Sequence, residues 1–360
     1  MLKRWLCAAM AALLVVCSAG CGQKPDDEAE PANAGPSSSE SSEEPEEDLL
    51  VIYSPLPQEV LEAAVSGFEA ETGVEVETVR DSVDQLIGRI SAQGDKPQAD
   101  LLFGGGAEVV RQFEDLFTPY ETEESEALDP LFTADDNLYT PLTPMPIVLM
   151  YSKEQTTRAP AGWTALVNSA YNGWIAFADP SKSGTSYTAL CVMDQSPDTG
   201  EDYVERFAEN LDGKMCSSIA EVYARLADGT FAAGVTLENS VQKYLEAGYE
   251  NAVGVSYPQE GTTAAVEVSA VVKGAPHEEL AQQFIDYVSG EEFQKKLTGQ
   301  FELRTARSDL DDPEGLTPRS EIKFIEYSVP AAVDGRAALL ERFAAAEKPE
   351  DASSASEAQP

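Results

Sequence analysis

"LLVIYSPLPQEVLEAAVSGFEAETGVEVETV", residues 49–79, decides the fold. Its first six residues form a continuous apolar run, as a strand covered on both faces requires. In the segment that follows, Val60, Leu61, Ala64, Val65 and Phe68 recur at helical spacing and share one face. Gly73 stands where a helix needs a left-handed stop. "VEVETV" then alternates apolar and polar, the period of a strand. "VDQLIGRISAQGD" (83–95) repeats the helical period, and "ADLLFGGG" (99–106) is a third strand running into glycines. Strand, helix, strand, helix, strand implies right-handed crossovers and a parallel sheet. In such sheets ligands collect beyond the carboxyl ends of the strands, here Ser54 and Gly104-Gly105-Gly106.

A second unit of the same kind lies further along. "PLTPMPIVLMYSKE" (141–154) is a passage between units, stiffened by Pro141, Pro144 and Pro146. "GWIAFADP" (173–180) is a buried strand, "YTALCVM" starts a helix, "CSSIAEVYARLADG" is another helix and "FAAGVTL" another strand. "NAVGVSYPQEGTTAAVEVSAVVK" (251–273) supplies strands that cross back, and "HEELAQQFIDYVSGEEFQKKL" is a helix pair. The fold class is therefore α/β, two doubly wound domains joined by a hinge near 143–147 and 256–259.

Between strand and helix in the second unit stands "SKSGTSYT", residues 181–188. A helix N-terminus carries about half a positive charge and several free N–H donors. Gly184 lets backbone approach a ligand, and Ser183, Thr185 and Ser186 add hydroxyls. This is the chemistry of an anion seat. The alternative is a capped helix, with Ser183 or Thr185 as the cap.

The chain has 24 Lys and Arg against 64 Asp and Glu, a formal net charge of −40. That charge excludes nucleic acid and anionic lipid as partners. A seat built from backbone and hydroxyl donors does not depend on net charge, and salt screens distant acids beyond about 10 Å.

The ends read differently from the middle. "MLKRWLCAAMAALLVVCSAG" (1–20) has a basic start, a short apolar run and small residues, the pattern of a secretory signal. "SAGC" resembles a bacterial lipobox, which implies that Cys21 becomes the N-terminus and carries acyl chains, palmitate among them. An alternative start lies at Cys17. Residues 21–48 and 347–360 are Ser, Pro and acid, too polar to offset chain entropy, and read as a tether and a tail. Of the five cysteines, Cys7 and Cys17 lie in the signal and Cys21 is the lipid site; Cys191 and Cys216 either form a disulfide or stay as buried thiols.

The segments resemble, in order and spacing, the bacterial extracellular solute-binding proteins of ABC importers. The carriers are residues 51–76, "ISAQGDKPQADLLFGGGAE", "NGWIAFADPSKSGTSYTAL", "LADGTFAAGVTLEN" and "YPQEGTTAAVEVSAVVKGA", spanning Leu49 to about Arg307. The branch resembled contains ferric-ion-binding proteins and relatives that bind hexose phosphates, phosphoglycerate or aminoethylphosphonate. The resemblance implies a bilobal, type II periplasmic-binding-protein-like fold. Lobe 1 would be 49–145 plus 256–305, and lobe 2 would be 146–255 plus 306–346. It also implies extracytoplasmic placement, a lipid anchor in the cell membrane, a small solute and an ABC permease as partners, and no cofactor.

Within that branch, iron is held by a His or Glu and a Tyr pair. The corresponding positions here are near Pro57, Gly106, Asn239 and Ser240, none a donor that ferric iron favours. The branch's Ser-Gly-Ala anion turn matches Ser183-Gly184-Thr185. The resemblance thus favours a phosphate- or phosphonate-bearing solute over ferric iron or an iron chelate. Ser218, with Ser217, opens the next helix near a position that faces the same anion. Glu238 and Asn239 end a strand at the cleft edge, where an acid can bind hydroxyls or an amine or simply stay solvated. Thr262 and Thr263 follow Gly261 in a crossover strand. His277 is the one histidine and has no evident triad partners, the turn is not a G-x-S-x-G elbow, and no zinc spacing occurs. Binding is therefore expected rather than catalysis, with an extracellular hydrolase or an adhesion lipoprotein as the readings from other classes.

Overall fold

A computed structural model describes residues 49–347. The signal, Cys21, the tether and most of the tail lie outside the described residues.

The first strand, β1 (Leu49–Ser54), is buried along most of its length. Helix α1 (Gln58–Thr72) buries Val60, Leu61, Ala64 and Phe68 and ends at Gly73, whose φ is 78°. Strand β2 (Glu75–Arg80) is mostly exposed at the sheet edge, where its charges discourage further pairing. Helix α2 (Val83–Gln93) leads to β3 (Leu101–Gly106), and both β2 and β3 pair parallel to β1. A short helix, α3 (Ala107–Gln112), begins directly after the glycines, and β4 (Phe117–Thr118) follows.

The segment with three prolines is one strand, β5 (Thr140–Ser152), that belongs to two parts of the sheet. Over Thr140–Pro146 it pairs antiparallel with β9 (Ala264–Val272); over Ile147–Tyr151 it pairs with β7 (Ala233–Leu237). The Ile147 N–H points to Thr263 O on the β9 side at 2.9 Å. Alternation turns positions 144 and 146 to the other edge, which β7 does not reach. Proline is therefore tolerated there.

The second half adds α4 (Trp163–Leu166), β6 (Ile175–Ala176), α5 (Gly184–Gln195), α6 (Tyr203–Asn210) and α7 (Ile219–Ala227). Beyond β7 come α8 (Glu238–Tyr244) and β8 (Val253–Ser256), which pairs with β5. The expected strand at 173–180 shortens to two residues, because only Ile175 and Ala176 reach β7. The order is β2-β1-β3-β9-β5-β7-β6. After β9 come α9 (Glu278–Ser289), α10 (Glu291–Phe301), α11 (Val329–Asp334) and α12 (Arg336–Ala346).

Two cores lie on opposite faces of the first half. One joins α1 and α9 around Phe68 and Phe284; the other joins α2 and α3 around Leu86 and Val110. The second half repeats this, with α5, α6 and α12 on one face and α7 and α8 on the other. The segment expected wholly in lobe 2, 306–346, packs on both halves, since α11 lies on α3 and α12 on α6.

Cys191 and Cys216 are free and buried in different cores, so the disulfide alternative is corrected. Burial pushes the Cys191 thiol up to about 12 and the Cys216 thiol up to about 11. His277 is tied to a buried carboxylate. Its Nδ1 lies 3.2 Å from Asp100 Oδ2, and its N–H donates to Oδ1 of the same buried carboxylate at 2.8 Å.

Candidate functional site

The seat is built where β6 ends. Asp179 accepts from Ser181 N–H at 2.9 Å and from Lys182 Nζ at 2.8 Å. Burial pushes the Asp179 carboxyl up, but Lys182 and Ser181 outweigh it and leave the value lowered. The bend delivers Ser183 as the cap of α5, its Oγ accepting from Ser186 N–H at 3.2 Å. The capped-helix reading is thus realised. Capping, however, uses only a lone pair of Ser183, leaving its O–H proton free to donate. The N–H groups of Gly184 and Thr185 precede the first intrahelical acceptors. A Cβ on Gly184 would meet nothing within 4 Å. Ser186 Oγ is buried and makes no hydrogen bond.

Ser217 and Ser218 lie beside this turn. Cys216 N–H donates to Phe177 O at 2.8 Å, forming a bridge between Ala178 and Cys216. Ser218 caps α7 through Glu221 N–H at 3.3 Å, and Ser217 bonds back to the Glu221 carboxylate at 2.8 Å. Together these form a capping box on an exposed surface.

From the first half, β3 brings its glycines up to the start of α3. Gly104 and Gly105 have φ of 94° and 99°, which only glycine adopts at low cost. Leu56 packs so closely on Gly104 that a Cβ would come within 2.5 Å of its Cγ. The glycines therefore serve the backbone whatever else they do. Gly105 N–H is not free, because it donates to the Glu267 carboxylate on β9. Burial raises the Glu267 carboxyl, and Glu108 adds to the effect. Of the three glycine N–H groups at this strand end, at most two are left for a ligand. Ser54 is also engaged: its buried Oγ donates to Phe103 O at 2.6 Å and accepts from Leu56 N–H at 3.2 Å.

Glu108, one turn past the glycines, accepts Thr188 Oγ1–H from α5 at 3.0 Å. Gly184, Thr188 and Cys191 share one face of α5. This contact brings the glycine strand end and the hydroxyl-rich helix start to one place. Glu108 also accepts Tyr327 O–H at 3.0 Å.

Glu238 and Asn239 behave otherwise than expected. Glu238 is buried, not solvated, and takes the Arg304 guanidinium through two bonds of 2.6 and 2.7 Å. Tyr257 O–H also donates to it. Burial pushes the Tyr257 hydroxyl up to about 12, helped by Glu238. Three of the roughly four acceptor positions of the Glu238 carboxylate are thus taken within the protein. Asn239 donates weakly to Met145 Sδ at 3.3 Å and leaves a buried carbonyl oxygen without a partner. Thr262 Oγ1 donates to Ile147 O at 2.6 Å, which fixes the crossover rather than a ligand. Glu108, Glu267, Arg304 and Tyr327 were not singled out in the sequence. Glu108 follows the glycines and was within reach of that reading. The others are remote in sequence from their partners and leave no local signal.

Two α/β halves joined by shared strands, with helix starts from both gathered at one seam, define a bilobal binding protein of the type II periplasmic kind. The chain belongs to the bacterial extracellular solute-binding proteins, whose family profile matches residues 63–322. It is similar to iron uptake protein A1 of Synechocystis sp., at 29% identity over 295 residues, covering 77% of this chain and 78% of that protein. Among solved structures it is similar to AfuA from Actinobacillus pleuropneumoniae with fructose-6-phosphate bound: TM-score 0.66, 22% identity, 82% of this chain and 97% of that one. The apo ferric ion-binding protein A of Pasteurella haemolytica gives TM-score 0.73 and 18% identity, covering 85% and 99%. The relatives are substrate-binding proteins of transport, and this chain is a solute-binding protein of the kind that serves ABC importers.

Proposed function

We propose that this protein captures a small solute bearing a phosphate or phosphonate group between its lobes and hands it to an ABC permease, without catalysis. One observation carries the reading: the start of α5. There the Ser183 hydroxyl proton and the Gly184 and Thr185 N–H groups stand at a glycine with open space beside it, and the buried Ser186 Oγ one turn in has no partner. Charge-assisted hydrogen bonds of this kind contribute roughly 1.5–3 kcal/mol each where water is excluded. The relatives' names divide between iron and a sugar phosphate. The absence of hard anionic donors at Pro57, Gly106, Asn239 and Ser240 favours the phosphate side.

Calorimetry with fructose 6-phosphate, 2-aminoethylphosphonate and inorganic phosphate tests this, guided by native mass spectrometry of protein purified without refolding. Gly184→Asp places a carboxylate in the seat, at a position where a Cβ meets nothing within 4 Å. It lowers affinity at least tenfold, about 1.4 kcal/mol, while the fold survives. Equal affinity in the folded variant would leave the turn a helix cap only.

We further propose that Cys21 carries the lipid that holds the protein to the membrane, since two acyl chains anchor stably where one is marginal. Cys21→Ser then releases the protein into the medium or leaves it unprocessed. Unchanged attachment and processing would implicate Cys17 or an uncleaved signal helix instead.

A further inference from the structure

The residues past the family match, 323–346, are built into both halves of the molecule. Lys323 and Ile325 flank Thr262 on the crossover: Thr262 N–H donates to Lys323 O, and Ile325 N–H donates to Thr262 O, both at 2.8 Å. From this anchor the chain reaches the first half. Phe324 meets Phe132 edge to face, with ring centroids 5.6 Å apart, and Tyr327 O–H donates to Glu108 of α3 at 3.0 Å. Helix α11 then lies on α3. The same stretch is also fastened to the second half: Ser328 N–H donates to Gln195 Oε1 of α5 at 2.9 Å, Tyr187 O–H donates to Ala332 O, and Ala332 is buried in the second half's core. Beyond Gly335 the chain continues onto the second half. Helix α12 packs on α6, Phe343 is in the core with Phe177, and Arg342 pairs with Glu205 at 2.8 Å.

The joint between α11 and α12 is the single residue Gly335, whose N–H donates to Ala331 O at 2.9 Å. A Cβ there would stand 3.0 Å from that same oxygen, so the turn at the joint is tight. If the halves part about the strands they share, α3 and α6 move relative to one another. A segment fastened to both must then lose one of its attachments. The weaker one is on the first half, where a hydrogen bond and partly buried apolar contacts hold it; on the second half Leu339 and Phe343 are buried.

We propose that residues 323–346 form a strap that regulates the binding cleft by favouring the conformation in which α3 and α5 touch, and so sets how readily the empty lobes part. Solute then adds to a bias the chain already carries, and need not supply all of the closing free energy. This rests on the reading of the seam between the halves as the solute site, but its test uses no solute, so it can fail or succeed apart from the choice of ligand.

Spin labels are placed at exposed positions of the two halves by Lys96→Cys and Glu209→Cys in solute-free protein, and their separation is read by pulsed electron resonance. Two changes are compared with the parent. Phe324→Ala removes the ring contact with Phe132, and Tyr327→Phe removes the bond to Glu108 while keeping the ring. A hydrogen bond to a charged group is worth enough to shift a two-state ratio about tenfold. Both changes are expected to move the distance distribution away from the parent's in the same direction. Phe324→Ala, which loses the larger contact, has the larger effect, and both variants keep the parent's circular dichroism. Distributions that superimpose on the parent's in Tyr327→Phe and in folded Phe324→Ala would overturn the strap. If Phe324→Ala does not fold, Tyr327→Phe alone decides.

Discussion

Glu267 is a carboxyl on β9 whose burial raises its value above the ordinary 4.5. A group with a raised folded value contributes its stability below the unfolded value and loses it as pH rises through the folded one. At neutral pH an ionised Glu267 is therefore a cost, partly relieved by Gly105 N–H. Glu267→Gln keeps an acceptor for that N–H and removes the charge. The variant unfolds at a higher temperature than the parent at neutral pH, and the gap closes below the ordinary value of 4.5. A gap of the same size at both pH values would mean that the charge is not what the substitution relieves. Residue by residue, the sequence is legible where chemistry is local. Ser183 as a cap, Gly73 as a stop and the serines before α7 were readable because a cap and its helix are neighbours in the chain. Glu238 was misread as free because Arg304 lies 66 positions away. Burial and partner were both fixed by the fold, not by the residues around it.

Among elements, the junction of α8 with the segment after α10 carries the densest charge. Arg304 and Glu238 have side chains only 2% and 4% exposed, and Arg304 also pairs with Asp312. Desolvation opposes the Arg304 charge, but Glu238 and Asp312 outweigh it and leave the value raised. Removing one member of a buried pair leaves the other uncompensated, at about 3–5 kcal/mol, whereas replacing both by apolar residues is often close to neutral. Arg304→Met should therefore destabilise by about that amount in urea unfolding, and Arg304→Met with Glu238→Leu should regain a large part. If the double variant is as weak as the single one, the pair does not act as a unit. The cap at α5 behaves differently. Ser183→Ala removes one partly exposed hydrogen bond and costs about 1 kcal/mol of stability. If the hydroxyl also donates to solute, affinity falls in the same variant. A stability loss with unchanged affinity would separate the cap from the seat. The helices and strands themselves were mostly legible, since period and punctuation are properties of short segments. Strand β5 was the exception in kind: its prolines suggested a connecting passage, and the open edge beside it is what lets them stand in a ladder.

At the scale of the whole molecule, alternation of strands and helices was enough to read two α/β halves, because crossovers leave few topologies open. The placement of 323–346 was not readable, because α11 and α12 are each too short and generic to declare which half they cover. Two strands of the described chain run from one half to the other: β5, which changes partner between Pro146 and Ile147, and the segment from β8 into β9. Rotation about a pair of antiparallel strands costs few contacts, since the pairing of β5 with β9 and with β7 can persist on either side of the bend. A solute held by the α5 turn on one half and the β3 glycines on the other interacts fully only when the halves are together. Its binding free energy then favours the closed arrangement by the difference between the two states and by no more. Small-angle scattering with a saturating phosphate ester, chosen by the calorimetry, should therefore give a smaller radius of gyration than the empty protein. Gly184→Asp at the same solute concentration should stay near the empty value, because it weakens the attachment that rewards closure. Identical dimensions with and without bound solute in the parent would show that the halves are already fixed, and closure would have no part in capture.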